Sequence, residues 1–298
     1  MSEMITLNGH KIELSHLDKT YFPQDGLKKV DLINYYRRVA DVMLPYLRGR
    51  PLSLQRFPDG IDNEGFYQKE APDYFPEWIE RADVLVKSEG DVQPQVVCND
   101  AATLVYLANQ GCITLHTWLS QAGSLDNPDR LIFDLDPPDN EFDLVKAAAR
   151  TLRHTLEEKG MTPFLMTTGS RGLHVVAPLD GSADFDTVRA FARQIAEELA
   201  AQDPDRFTTE TRKDKRDGRL FLDYLRNAYA QTAVAPYVVR PKPGAAVATP
   251  LDWNELEQSG LHSQRYNIQN IFRRLGQKAD PWQKMDEHAG KLPEVQPA

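Results

Sequence analysis

The run Leu131-Ile132-Phe133-Asp134-Leu135-Asp136-Pro137-Pro138 constrains this chain more than any other stretch. Its apolar residues predict a buried strand, and the prolines stop it. Side chains alternate along a strand, so Asp134 and Asp136 project from the same face, roughly 7 Å apart. Two carboxylates so placed repel each other and are costly to bury unless a cation lies between them, and a divalent metal is the natural partner. The bland alternative is an exposed strand end entering a Pro-Pro turn. A second apolar run, Leu220-Phe221-Leu222-Asp223-Tyr224-Leu225, carries a lone Asp223 whose charge also needs compensation. If the two strands are neighbours, Asp223 completes a three-carboxylate cage suited to two Mg²⁺ or Mn²⁺ ions; otherwise a salt bridge to Arg219 or Arg226 would satisfy it.

Between these strands lies Thr167-Thr168-Gly169-Ser170-Arg171-Gly172-Leu173-His174. Its two glycines bracket a tight turn whose backbone N–H groups, with the Ser170 hydroxyl and the Arg171 guanidinium, are suited to holding phosphate oxygens. Turns of this composition are common and a lone histidine such as His174 is often structural, so the position between two acidic strands is what carries weight.

Around these motifs the chain alternates short strands with helices. An amphipathic helix is predicted over 28–48, stopped by Gly49, and strands follow at Pro51–Phe57, Gly65–Lys69, Val84–Lys87 and Gln95–Cys98. Asn99 or Asp100 is the expected N-cap of a helix over Ala101–Asn109, before a strand at Cys112–Trp118. Past a turn-rich break at Gly123–Asp129, the order is strand Arg130–Asp136, helix Glu141–Lys159, strands Pro163–Thr168 and Leu173–Pro178, helix Phe185–Ala201 and strand Leu220–Leu225. Short helices are expected at Trp253–Glu257 and Ile268–Leu275, and a frayed tail at 291–298. This is an α/β or α+β layer architecture. The 298 residues are read as a single domain with two possible sub-lobes, 1–125 and 126–298.

No apolar stretch approaches the ~18 residues of a membrane span, and no basic start followed by an apolar core opens the chain, so a soluble cytoplasmic protein is expected. The two cysteines, Cys98 and Cys112, form no CxxC pair, which argues against a cysteine-built zinc site and against a disulfide scaffold. A net charge of -9 argues at first sight against nucleic acid. The charge is segregated, however. Seven basic residues face two acids over 28–56, ten acids face three basic residues over 59–91, and seven basic residues face four acids over 206–226. Such blocks leave room for a local anionic ligand.

The ordered set of DxD, SxGxH and an Asp-bearing apolar strand resembles the archaeo-eukaryotic primase superfamily. More narrowly, the chain resembles the polymerase domain of bacterial ligase D. The likeness runs from about Leu14 to Leu256 through His16-Leu17-Asp18-Lys19, Phe66-Tyr67-Gln68-Lys69, the two acidic strands, the Thr167–His174 turn and Ala235-Pro236-Tyr237-Val238-Val239-Arg240. It implies a primase-like polymerase fold, two mixed-sheet lobes flanked by helices with the active site in the cleft, and a template-dependent nucleotidyltransferase that extends or fills DNA ends in break repair.

By that resemblance Asp134, Asp136 and Asp223 are catalytic metal ligands for two Mn²⁺ or Mg²⁺ ions. Ser170, Arg171 and His174 match the triphosphate pocket. His116 matches a histidine near the incoming nucleotide, although on sequence alone it reads as a satisfied strand histidine. Arg240 and Lys242 stand where the family has basic residues for the triphosphate. Phe66 and Tyr67 match an aromatic stacking pair; core packing is the alternative, and since neighbours on a strand point oppositely, at most one is expected to be the platform. Lys19 and Lys29 match positions that hold the 5′-phosphate of a broken end, and Arg56 and Arg216 are further DNA contacts, Arg216 in a mobile loop. Gln55 departs from the family, where some members have Lys. The implied partners are DNA ends or gaps, NTPs in preference to dNTPs, a Ku protein and a ligase, with a nucleoid location. The length suits one such domain, standing alone or excised from a larger protein.

Two local likenesses mislead. Lys215-Arg216-Asp217-Gly218 imitates the nucleotidyl-lysine motif of ligases but runs straight into the Asp223 strand. Phe133-Asp134-Leu135-Asp136 also resembles the haloacid dehalogenase phosphatases, yet Pro138 stands where they have Thr or Val. A non-catalytic module that binds and bridges DNA ends is the alternative from a different class.

Overall fold

The structure, a computed structural model, describes residues 2–138 and 141–294. The chain divides into two compact units: Met1–Gly123 with Thr232–Ala248 and Tyr266–Arg274, and Ser124–Gln231 with Thr249–Arg265 and the segment from Leu275 onward. A single division near residue 125 therefore marks only the first crossing, because two later segments return to the first unit. Of the tail expected at 291–298, residues 295–298 lie outside the described residues, and 291–294 carry no regular structure.

The first unit opens with strands β1 (Ser2–Leu7) and β2 (His10–Ser15), joined through Asn8-Gly9 with both residues at positive φ. An Asn-Gly pair with both residues at positive φ favours this kind of two-residue hairpin turn. After β3 (Thr20–Phe22) and β4 (Leu27–Lys28), helix α1 (Lys29–Leu47) buries Leu32, Tyr36, Val39, Met43 and Leu47 along one stripe. The Lys28 N–H donates to the Asp31 carboxylate at its start, and Gly49 turns left-handed beyond its end. Strands β5 (Leu52–Arg56) and β6 (Phe66–Gln68) pair antiparallel. Next come the β7 (Arg81–Val86) and β8 (Asp91–Val96) hairpin, helix α2 (Ala101–Asn109) and strand β9 (Cys112–Trp118) beside β5. Asp100 is the N-cap of α2, accepting from the Thr103 N–H at 2.7 Å.

The second unit holds β10 (Arg130–Asp136), α3 (Phe142–Glu158), β11 (Phe164–Thr167), β12 (Leu173–Pro178), α4 (Phe185–Gln202), β13 (Phe207–Thr208) and β14 (Leu220–Asp223). Then β15 (Thr232–Val234) joins β9, and β16 (Thr249–Leu251) joins β11. The sheet orders are β15-β9-β5-β6 in the first unit and β13-β14-β10-β12-β11-β16 in the second. All pairs in the larger sheet are antiparallel except β13 with β14, so the fold is mixed α+β. Helices α3 and α4 touch each other and both pack on β10. The wholly buried Leu131, Phe133 and Leu135 alternate with Asp134 and Asp136, which are partly exposed on the other face of the strand.

Candidate active site

Register decides which acidic residues meet. On β10, Asp134 stands opposite His174 of β12 on one side and opposite Asp223 of β14 on the other, while Asp136 stands opposite Phe221. Residues directly opposite in neighbouring strands project from the same face, with Cβ atoms about 4.5–5.5 Å apart. One rank across three strands thus carries His174, Asp134 and Asp223. Two of the carboxylates have nitrogen partners: His174 Nε2 is 3.4 Å and Arg226 Nη2 3.5 Å from the Asp134 carboxylate, and Arg171 Nη2 is 3.0 Å from Asp136 Oδ2. Neither salt bridge expected for Asp223 forms, since Arg226 reaches Asp134 and Arg219 lies 3.6 Å from Asp217.

Strand β14 also ends sooner than expected. It stops at Asp223, whose Oδ1 accepts the Leu225 N–H at 2.8 Å, the side-chain turn that aspartate favours. Burial pushes the Asp223 carboxyl above the usual range; the Leu225 N–H opposes this, the Asp134 charge adds to it, and Arg226 and Arg216 oppose it.

A cavity of about 450 Å³ opens on this face, lined by the three aspartates together with Arg171, Lys213, Arg216 and Arg226. The cage expected from sequence is not preformed: among the described residues, no group of three His, Cys, Asp or Glu side chains is arranged to hold a metal ion as it stands. The donor chemistry nevertheless fits Mg²⁺ or Mn²⁺. Three carboxylates supply hard oxygen ligands on one cavity wall, and Arg171 and Arg226 compete with a metal for two of them.

The turn before β12 is built inward. Thr168 Oγ1 accepts the N–H groups of Ser170 and Gly172 at 3.3 and 3.2 Å, so two of the amides that the sequence offered to phosphate already have a partner. Ser263 Oγ donates to the Gly172 carbonyl at 2.9 Å, and Gln264 Nε2 to the Ser170 carbonyl at 2.7 Å. The Ser170 hydroxyl and the Arg171 guanidinium stay available to an anion, as do the amides of Gly169 and Arg171, which Thr168 does not engage. Gly172 is a steric necessity, because a Cβ there would stand 1.9 Å from the Leu135 carbonyl oxygen.

In the first unit, His116 of β9 stands opposite Ser53 and Val234. The Tyr67 ring lies 5.6 Å from it, whereas Phe66 pairs with Arg56, whose guanidinium sits 5.4 Å from the ring centroid. Phe66 is 46% and Tyr67 61% exposed, which disposes of the core-packing alternative, and the two rings take different neighbours as strand alternation requires. Arg240 follows Val239, whose carbonyl accepts from Thr114 of β9, and the Lys242 N–H donates to the Arg240 carbonyl. His116, Arg240 and Lys242 therefore belong to the first unit, and Ser170, Arg171 and His174 to the second.

Lys19, Lys29 and Arg56 line a second cavity of about 220 Å³, together with His16 and Asn109. Lys29 is buried and donates to the Ser15 carbonyl at 2.6 Å; burial, then the Lys19 charge, brings its amine down to about 8. Lys19 forms an ion pair with Asp59. Arg56 differs from the expected open contact: it donates to the Gln110 carbonyl, Gln68 Oε1 and the Tyr74 hydroxyl, which makes it framework. Arg216 is likewise tied to the Glu210 and Thr211 carbonyls and lies 4.2 Å over the Phe221 ring.

Sequence reasoning missed Asn227. Its side chain donates to the Ile132 carbonyl at 2.7 Å and accepts the Ile132 N–H at 2.8 Å, continuing the edge of β10 beyond the point where β14 ends. The available signal was an asparagine directly behind an Asp-bearing strand. Lys213 and Arg226 were also missed as cavity residues.

The family model described as LigD, primase-polymerase domain, matches residues 28–282. The multifunctional non-homologous end joining DNA repair protein LigD of Mycobacterium tuberculosis is 31% identical over 288 residues, covering 94% of this chain and 37% of that protein. LigD of Pseudomonas aeruginosa is 34% identical over 274 residues, covering 91% and 32%. The chain spans about a third of the length of these curated relatives. Among solved structures, the polymerase domain from M. tuberculosis ligase D in complex with DNA matches with a TM-score of 0.86 and 30% identity, covering 93% of this chain and 99% of that one.

Proposed function

Since the chain belongs to the LigD primase-polymerase family, we propose that it is a template-dependent nucleotidyltransferase that adds nucleotides, ribonucleotides in preference, to 3′-ends at DNA breaks and gaps in non-homologous end joining. The observation that carries this reading is the rank His174, Asp134, Asp223 across three strands, with Asp136 on the same face of β10, and the three aspartates on the wall of one cavity. Asp134, Asp136 and Asp223 would hold two Mn²⁺ or Mg²⁺ ions, which when bound supply activation of a 3′-hydroxyl and charge neutralisation on leaving pyrophosphate.

The protein's own groups do the positioning. Arg171 and the Ser170 hydroxyl bind triphosphate oxygens beside His174, and Arg171 exchanges Asp136 for phosphate as the aspartates load. Within the first unit, His116, Arg240 and Lys242 are proposed nucleotide contacts, with Lys242 a point charge rather than a fork. Tyr67 offers an exposed ring to a base, a sequence-tolerant contact.

The test is primer extension on a gapped, 5′-phosphorylated duplex with NTPs or dNTPs and Mn²⁺ or Mg²⁺. Templated incorporation, better with NTPs and Mn²⁺, is expected; no metal-dependent incorporation with any combination overturns the reading.

A DNA-end-binding function is favoured by a separate observation, the cavity of Lys19 and Lys29, two cations within reach of one small anion. It complements catalysis. Ends with a 5′-phosphate should bind more tightly than 5′-hydroxyl ends, and equal affinity removes the phosphate pocket. Ku and a ligase are the expected partners in the repair reaction.

A further inference from the structure

Four cations line the catalytic cavity, and they are not equivalent. Arg171 is held by Asp136 and Arg226 by Asp134. Arg216 is fixed by two backbone carbonyls and by the Phe221 ring. Lys213 is exposed, and among the described residues its ammonium group has no hydrogen-bond or ion-pair partner. The acids nearest in sequence are engaged elsewhere: Asp214 takes Arg212 through two contacts of 2.7 and 3.3 Å, and Asp217 takes Arg219. Lys213 is thus an exposed point charge on the wall of the cavity that the three aspartates line.

Topology says which polyanion. In the sheet, β12 and the Ser170–Arg171 turn flank β10 on one side, while β14 and the loop bearing Lys213 flank it on the other. Nucleotidyl transfer is an in-line displacement, with the attacking 3′-oxygen and the leaving pyrophosphate on opposite sides of the reacting phosphorus. If triphosphate lies on the β12 side of the carboxylates, the primer end must lie on the β14 side. We propose that Lys213 is a positioning residue that holds the last phosphodiester of the primer strand, and so sets the 3′-hydroxyl against the carboxylate rank. This rests on the polymerase reading above. It adds a residue and a substrate strand to it.

A lysine on one phosphate contributes by counterion release, so its loss leaves a shallower salt dependence. Binding of a recessed primer–template should be titrated with salt for wild type, Lys213→Ala and Lys213→Arg. The slope of log affinity against log salt should be shallower by about one in Lys213→Ala and restored in Lys213→Arg. A neutral methylphosphonate at the last primer linkage should weaken binding by wild type and leave Lys213→Ala unaffected, while the KM for NTP stays unchanged by the substitution. An unchanged slope, an equal loss in both proteins, or a raised KM for NTP with unchanged primer binding each overturns the proposal. Failure of the polymerase reading is distinguishable, because it shows as absent metal-dependent incorporation by wild type, whatever the slopes.

Discussion

Gly172 shows how closely the site is built at the scale of single residues. A methyl group on its α-carbon would stand 1.9 Å from the Leu135 carbonyl oxygen, so β10 and β12 have no room to stay paired if residue 172 carries a side chain. Gly172→Ala should destabilise the protein by at least about 1–3 kcal/mol, read as a lowered denaturation midpoint, and should lower incorporation by shifting Arg171 and His174 from Asp136 and Asp134. The aspartates make the opposite kind of test. Asp134→Ala or Asp136→Ala should abolish nucleotide incorporation while leaving DNA binding in a gel-shift assay, and activity retained in either variant removes the metal assignment. Lys29 gives a pH dependence. Its amine falls from the ordinary 10.5 to about 8, so between those values the folded state holds fewer protons than the unfolded state, and stability rises with pH across that window. In the folded protein its cation is lost around pH 8. The preference for 5′-phosphorylated over 5′-hydroxyl ends should therefore be strong at pH 7 and weaker at pH 9, and Lys29→Gln should flatten that profile. The residue types at these positions were readable in sequence; their neighbours were not, as Arg226 demonstrates by reaching Asp134 rather than Asp223.

Among elements, β10 bears two of the three proposed metal-binding aspartates, and its edges hold them in place. Beyond Asp134 the strand loses β14 as a partner, and Asn227 takes over by satisfying both the N–H and the carbonyl of Ile132. Asn227→Ala leaves those two buried groups without that partner and should cost about 2–4 kcal/mol, seen as a lower urea midpoint with an unchanged slope. Incorporation should fall with it, since the strand that carries Asp134 and Asp136 is loosened. The long helices and apolar strands were legible because burial imposes a period on sequence: α1, α3 and α4 appear within a residue or two of expectation. The β1–β2 hairpin went unread, although the Asn8-Gly9 turn and the alternation of buried Ile12 and Leu14 with Lys11, Glu13 and Ser15 were both available as signals. Strand β14 was read two residues too long, because Tyr224 and Leu225 are apolar while the Asp223 side chain captures the Leu225 N–H and turns the backbone away.

For the molecule as a whole, the net charge of -9 is reconciled with the proposed nucleic-acid role by its distribution. The acids of 59–91 include exposed Asp83 and Asp91 on the β7–β8 hairpin, whereas Lys19 and Lys29 share one cavity and Arg171, Lys213, Arg216 and Arg226 share another. Weak overall attraction with local basic sites favours ends and gaps over plain duplex. Replacing Asp83 and Asp91 together by Lys should raise affinity for blunt, unphosphorylated duplex at low salt several-fold, and leave the ratio of 5′-phosphate to 5′-hydroxyl binding unchanged. By itself the sequence determined the long helices and most apolar strands, the carboxylates, the glycine-bounded turn and, through ordered motifs, the family. These depend on residue type and local spacing, which a linear chain displays directly. Only the tertiary structure decided that Asp134, His174 and Asp223 share a rank, that Arg56 is framework while Lys213 has no partner among the described residues, and that the chain returns to its first unit after residue 231. Strand register and side-chain pairing bring together residues some 40 to 90 positions apart, and no local pattern records which of several arginines will meet which carboxylate.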